Sequence, residues 1–496
     1  MDKKKVLKDT YSNYGILAVK LFLAFFTTPI YLAVYGKAIY GLFVLSTSLA
    51  TSLTFLDFGA GKSLIKYTAE YLYDKDKLKY QSSVNTAISL NIISMLAVLT
   101  ICAIILFKVD TFFRIDAKDV AEARVLFLIA IFSTLFVFLD FIPSNILQGA
   151  GIFHQKNVYQ IIIVILNVLM IAWVYFFKPS ITAFGIASML LYAFTYFIDF
   201  YLVRKNGLFK NIRLKIIINK QLFQQSSFKY TKEIFLLSLV GFFSSQADKF
   251  IVGSLISVSA VSIYTVITRP FFLLKSLTAN LYSVLQPHIV QTKSSGKDVG
   301  SLIVRITVMV FAVFLFVMVC FTILGHKFFE VWMRTSEYDK YFTWALVAVF
   351  NWMLTGFYSL IYRTMFVTGD TKAIFKIDSI TAILNGIFSI ILTYYFDFYG
   401  VILGTTIQTA FLCIFIYKAG NSLYAIQLKQ IFTVNFNWFM IFSVGLIAFT
   451  GYYTHWTFKL NIAAMLLEML LLLPVFGFFL YRENILKAFK LKAAKA

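Results

Sequence analysis

Charged side chains stand inside segments that are otherwise apolar enough to cross a bilayer. They are Lys20, Asp248, Lys249, Arg269 and Lys275. A charge at that depth is costly and marks a functional site by default. Four of these five are cations, and cations lining a hydrated cavity would offset the desolvation of an anionic substrate. Arginine's planar fork can hold two phosphate oxygens, whereas lysine acts as a point charge. Lys20 has no acidic partner in its own segment, so it either forms an anion-attracting wall or snorkels to the headgroups. Asp248 and Arg269 fall at similar depth in neighbouring segments and can pair. Such a pair either locks two helices together or opens when substrate arrives. Lys275 lies where it can snorkel towards the inner interface.

No catalytic constellation accompanies these charges. His154, His288, His326 and His455 fall near the ends of apolar segments without metal-ligand spacing. Gly59-Ala60-Gly61-Lys62-Ser63 lacks the spacing of a phosphate-binding P-loop, so bound ATP is not indicated. No cofactor is expected; a coupling ion, Na+ or H+, is left open. Cys102, Cys320 and Cys413 all lie in apolar blocks and read as small core residues.

The elements that must position the charges are membrane helices. The chain is 60% hydrophobic and 14% charged, with 56 Phe in 496 residues. A soluble domain carries about 25% charged residues. The apolar residues come in blocks of about 20, the length that spans a hydrocarbon core. The fold class is therefore an all-α polytopic membrane protein, with none of the short alternating segments of a β-barrel. Fourteen spans are expected, at about 12–34, 38–57, 84–107, 124–146, 157–177, 181–203, 233–255, 259–287, 303–325, 341–362, 373–394, 399–417, 436–455 and 460–481. With the N-terminus cytoplasmic, the inside segments carry 30 Lys and Arg and the outside loops 10. That bias sets both termini on the cytoplasmic side. It also accounts for the net charge of +22 without nucleic acid. The N-terminal lysines precede a segment with no small-residue cleavage site, so that segment is expected to stay as the first span.

The outside loops are short, the longest being about 108–123. The inside loops 58–83 and 204–232 are long enough for interfacial helices, although solvated basic loops fit equally. Pro143 and Pro270 are expected to kink their spans. Asp140 and Asp199 lie near inside ends, where a helix-end or loop-pairing role is the default. Glu468 falls mid-span in the fourteenth helix. A faint repeat is visible: Ala38 to Phe43 opens the second span as Val261 to Val266 opens the eighth. Ile165-Leu166-Asn167 in the fifth is matched by Ile383-Leu384-Asn385 in the eleventh. Two six-helix halves of the same orientation follow, with two appended helices. The expected domains are an N-lobe over 1–205, a cytoplasmic linker over 206–232, a C-lobe over 233–420, and a last pair of helices with a basic tail over 421–496.

Several stretches carry a likeness to a known family. They are Tyr40-Gly41-Leu42-Phe43, Asp57-Phe58-Gly59-Ala60-Gly61 running on to Tyr67-Thr68-Ala69-Glu70, Gln148-Gly149, Gln246 to Gly253, Ile263-Tyr264 and Pro287. With the span count and order, the chain resembles the Wzx-type O-antigen flippases of the multidrug/oligosaccharidyl-lipid/polysaccharide (MOP) exporter superfamily. The resemblance implies a MATE-like fold of two lobes around a cavity that opens alternately to either side. It implies an undecaprenyl-diphosphate-linked oligosaccharide as substrate, moved across the cytoplasmic (inner) membrane for O-antigen, capsule or exopolysaccharide synthesis. A polysaccharide polymerase and a chain-length regulator are the implied partners, beside membrane lipids. Lipid II flippases of the same superfamily also look to use basic cavity residues in the first and eighth spans, which supports Lys20 and Arg269. Two other readings compete. A multidrug exporter of the superfamily generally needs acidic groups in the first lobe's cavity, where the first span here offers Lys20. A membrane-embedded polysaccharide polymerase or ligase would usually carry a large outside loop.

Overall fold

The computed structural model describes residues 3–53, 60–210, 215–216, 239–241, 246–296, 298–433 and scattered positions between 437 and 445. Every regular element among them is helical, and ten stretches are long and apolar enough to cross a membrane. The expected thirteenth and fourteenth spans, Glu468, the basic tail and most of the 206–232 loop lie outside the described residues. The chain divides into two compact units, Met1–Thr265 and Val266–Ala496.

The first unit is built from α1 (Lys3–Ser52), α2 (Ala60–Asp74), α3 (Lys77–Phe107), the short α4 (Val109–Phe112), α5 (Val120–Gly149), α6 (Phe153–Phe177) and α7 (Ile181–Lys205). After the 206–232 loop come α8 (Ala247–Leu255) and the start of α9 (Val258–Ser294). The helical run of α1 is broken at Gly36, which takes φ 73 and ψ 174. That conformation is cheap only for glycine, and it falls where the short loop between the first two spans was expected. α5 is the hub, packing on α1, α2, α3 and α7. It runs on through Pro143.

The inner loop expected over 58–83 contains a helix, α2. Its apolar side is driven into a core where Leu64 meets Val84 of α3, Ile146 and Leu147 of α5, and Leu202 of α7. Tyr71 and Tyr80 stack there with ring centroids 4.3 Å apart. Lys66 and Glu70 form a loose surface pair on the opposite side, 3.8 Å apart. Burying one such leucine contributes about 1.5–3 kcal/mol, whereas an exposed i,i+4 ion pair contributes about 0.3–0.5 kcal/mol. The apolar side therefore seats the helix.

The segment 247–265 docks onto α1. The Ser262 hydroxyl donates to the Lys37 carbonyl, and Lys249 Nζ donates to Ser48 Oγ at 3.0 Å. A Cβ at Gly41 would fall 2.1 Å from the Val258 carbonyl oxygen. Only glycine admits that approach, which explains Gly41 inside the Tyr40-Gly41-Leu42-Phe43 motif.

In the second unit α9 continues and is followed by α10 (Val299–Met333), α11 (Phe342–Thr368), α12 (Thr371–Phe396) and α13 (Tyr399–Tyr424). α12 and α13 pack most intimately, because Gly400 and Gly404 recur at four-residue spacing along one face of α13. A Cβ at Gly404 would lie 2.2 Å from Ser389 Oγ, and one at Gly400 2.2 Å from the Leu392 carbonyl carbon. Small residues that let backbones approach supply the packing that apolar burial cannot supply in lipid. Phe314 of α10 stacks on Trp352 of α11 at 4.0 Å between centroids. Polar groups in the core are tied across helices: Asn351 Nδ2 donates to Thr406 Oγ1 at 3.0 Å, and the Tyr362 hydroxyl donates to Asp378 at 2.6 Å.

Candidate functional site

A charged cluster crosses four helices of the first unit at the end where α5 stops, α6 starts and α7 stops. On α5, Asp140 and Ser144 are four residues apart; on α6, so are Lys156 and Gln160. That spacing puts each pair on one face of its helix. The helices turn these faces towards Asp199 of α7 and Lys20 of α1. Lys156 Nζ lies 2.7 Å from Asp199 Oδ2 and also donates to Ser144 Oγ. Asp140 stands near enough to Asp199 and Lys156 to feel the charge of both. Lys20 Nζ donates to Gln160 Oε1 at 2.8 Å and stands near enough to Lys156 to feel its charge.

The energetics separate the two lysines. The Asp199 side chain is 2% exposed and that of Lys156 17%. Removing one partner from such a buried pair leaves an uncompensated charge, which costs about 3–5 kcal/mol. Lys156 is therefore held by its carboxylate. Lys20 is exposed, and its hydrogen-bond partner is a neutral amide oxygen. An amide orients the ammonium without cancelling its charge, so an anion approaching Lys20 meets a full positive charge with Lys156 beside it. The arrangement can bind an anionic group.

The other expected site residues divide between the units. Asp248, 6% exposed, accepts a hydrogen bond from the Tyr264 hydroxyl at 2.8 Å. Its neighbour Lys249 reaches Ser48 of α1. Arg269 and Lys275 belong to the second unit, both on α9. Arg269 is half-buried, and Lys275 is exposed with its Nζ 5.6 Å from the Phe271 ring centroid. Lys20, Asp248 and Lys249 all stand in the first unit, but only Lys20 joins the cluster at the α5–α6 end.

Lys156, Gln160, Asp140 and Asp199 were not singled out from sequence as site residues. In sequence Lys156 falls between two expected spans, and a helix-end or loop-pairing role is the default for the two aspartates; the Asp199–Lys156 pair is the loop pairing. The usable signal was the pair of i,i+4 polar couples, Asp140/Ser144 and Lys156/Gln160, flanking one short turn.

Residues 6–293 match the model of a family described as polysaccharide biosynthesis protein. No curated protein matches the sequence. Among solved structures, lipid II flippase MurJ in an inward closed conformation is 17% identical with a TM-score of 0.71, over 97% of this chain and 100% of that one. An inward-facing multidrug resistance MATE transporter of the MOP superfamily is 15% identical with a TM-score of 0.61, over 82% of this chain and 94% of that one. The Vibrio cholerae MATE transporter VcmN in its bent form is 13% identical with a TM-score of 0.54, over 86% and 98%. At these identities the likeness is one of fold, and it is the MATE-like helical fold. Because the family model takes in more than half of its length, the chain belongs to the polysaccharide biosynthesis protein family, built on the fold of the MOP-superfamily transporters.

Proposed function

We propose that this protein is a flippase that carries an undecaprenyl-diphosphate-linked oligosaccharide across the cytoplasmic membrane by alternating access. The observation that carries the reading is Lys20, a cation held by the neutral amide of Gln160 inside a chain of the polysaccharide biosynthesis family. A diphosphate is the anion that such a lipid-linked glycan brings into the membrane. Losing its water is costly, and a preplaced ammonium offsets that cost. Arg269 is the second candidate for the same work. Both termini are cytoplasmic in this reading, and the coupling ion is left open.

The test uses the purified protein in proteoliposomes that hold an undecaprenyl-diphosphate-linked oligosaccharide, with transbilayer movement followed by lectin accessibility. The wild type moves the lipid. Lys20→Ala and Arg269→Ala slow it about ten- to hundredfold, the loss of one charge-assisted contact. Lys20→Arg retains most of the rate, and Arg269→Lys recovers part of it. Full movement by the Lys20→Ala, Arg269→Ala double variant would sink the site assignment.

A second reading is favoured by the MurJ likeness, namely that lipid II itself is the cargo. The same vesicles prepared with lipid II decide between them. Movement of lipid II without movement of the oligosaccharide lipid would replace the first reading.

A further inference from the structure

A cavity of about 320 Å³ opens inside the first unit, between α1, α5, α6 and α7. It begins one helical turn beyond the charged cluster on three helices. Val137 lies three residues before Asp140 on α5, Ile163 three after Gln160 on α6, and Thr195 four before Asp199 on α7. From there it extends towards the end of the bundle that bears the 108–123 loop. Its volume is at the lower end of ligand pockets, about 300–1,000 Å³.

The wall chemistry is specific. None of the described lining residues is charged. Ser46, Ser133, Thr134, Ser188 and Thr195 each donate their hydroxyl hydrogen to a carbonyl of their own helix, at 2.7–3.0 Å. Asn167 Nδ2 does the same to Ile163, at 2.8 Å. With the hydrogens so placed, the oxygens of the partly exposed Asn167, Ser188 and Thr195 present acceptor lone pairs to the cavity. A ligand that satisfies them is neutral and rich in hydroxyl or amide donors. Tyr31 and Phe184, with ring centroids 4.7 Å apart, add an apolar aromatic wall. A sugar ring has that double character, with hydroxyls around its edge and C–H groups on its faces. The matching asparagine of the second unit, Asn385, is instead 1% exposed and accepts from Ser389 at 3.1 Å in a closed core.

We propose that this cavity is a sugar subsite of the same transport site, seating a hexose ring close to the diphosphate. The inference rests on the flippase reading above, because it needs the diphosphate at Lys20. Along α6, Asn167 stands about 10 Å beyond Gln160, at 1.5 Å per residue. A ring joined directly to a diphosphate at Lys20 can therefore enter the cavity.

The full chain in lipid nanodiscs, examined by native mass spectrometry, tests this. The probes are undecaprenyl diphosphate alone and the same lipid carrying one glucose, galactose or N-acetylglucosamine. At least one sugar-bearing lipid should bind about tenfold tighter than the bare lipid, the effect of two or three buried hydrogen bonds. Asn167→Leu keeps the branched shape but removes the amide from the cavity wall, and it should erase the difference while the bare lipid still binds. If that variant does not fold, the near-isosteric pair Thr195→Val, Ser188→Ala decides. A preference that survives in the folded variant, or three sugar lipids that bind no tighter than the bare one, would overturn the subsite. Failure of every lipid diphosphate to bind the wild type would overturn the flippase reading itself.

Discussion

Lys156 shows how one residue changes meaning once its neighbours are known. In sequence it is a basic residue beside a short inner turn, of the kind that sets topology. In the fold its ammonium is clamped between Asp199 and Ser144. Lys156→Met should therefore lower stability by about 3–5 kcal/mol, because Asp199 would keep a buried charge without a partner. Lys156→Met combined with Asp199→Leu should recover most of that loss, since apolar replacement of a whole buried pair is often neutral. Thermal unfolding in detergent measures both. A single variant as stable as wild type would show that the pair carries no such strain. Lys20 was legible because a lone cation in an apolar run stands out. Its partner Gln160 was not, because nothing in a one-dimensional pattern says which face of α6 meets α1.

At the scale of elements, periodicity and length foretold most of the helices and left their contacts open. The span expected at 399–417 is α13, Tyr399–Tyr424, which is longer at its C-terminal end. What holds it on α12 is the Gly400/Gly404 face. Gly404→Val would drive two methyl groups into Ser389, and overpacking of that kind costs about 1–3 kcal/mol or more. We expect the variant to accumulate poorly and to lose its sharp elution on size exclusion. Gly386→Ala on α12 is the control, because a Cβ there meets nothing within 4 Å. Equal behaviour of the two variants would remove the close-packing argument. The inner helix α2 was one of two open readings for its loop. Packing of Leu64 against α3 and α5 decided in favour of the helix.

For the whole molecule, the charge count predicts the orientation: 30 Lys and Arg in the segments expected inside against 10 in the loops expected outside. Single cysteines at the Lys210 and Asp116 positions check it in intact cells. Lys210 follows the end of α7 and Asp116 precedes α5, so the two sit at opposite ends of the first bundle. An impermeant maleimide should label the Asp116 position and spare the Lys210 position. The reverse result would invert the topology, and with it the leaflet from which substrate is taken.

The sequence by itself determined the class of molecule and the positions of most spans, and it singled out the cations of the proposed site. These are local or additive properties: apolar length against bilayer thickness, charge summed over loops, and cations stranded in apolar runs. Only the tertiary structure decided which polar residues share a site. Lys20 and Gln160 are 140 positions apart, and Asp199 lies 43 beyond Lys156. Their meeting depends on how α1, α5, α6 and α7 are rotated about their own axes. That rotation is set by many small packing contacts, none of which leaves a mark at the charged residues themselves. The cavity one turn away is a still more collective property. It is the space left where Ser, Thr and Asn side chains stand against aromatic rings on four different helices.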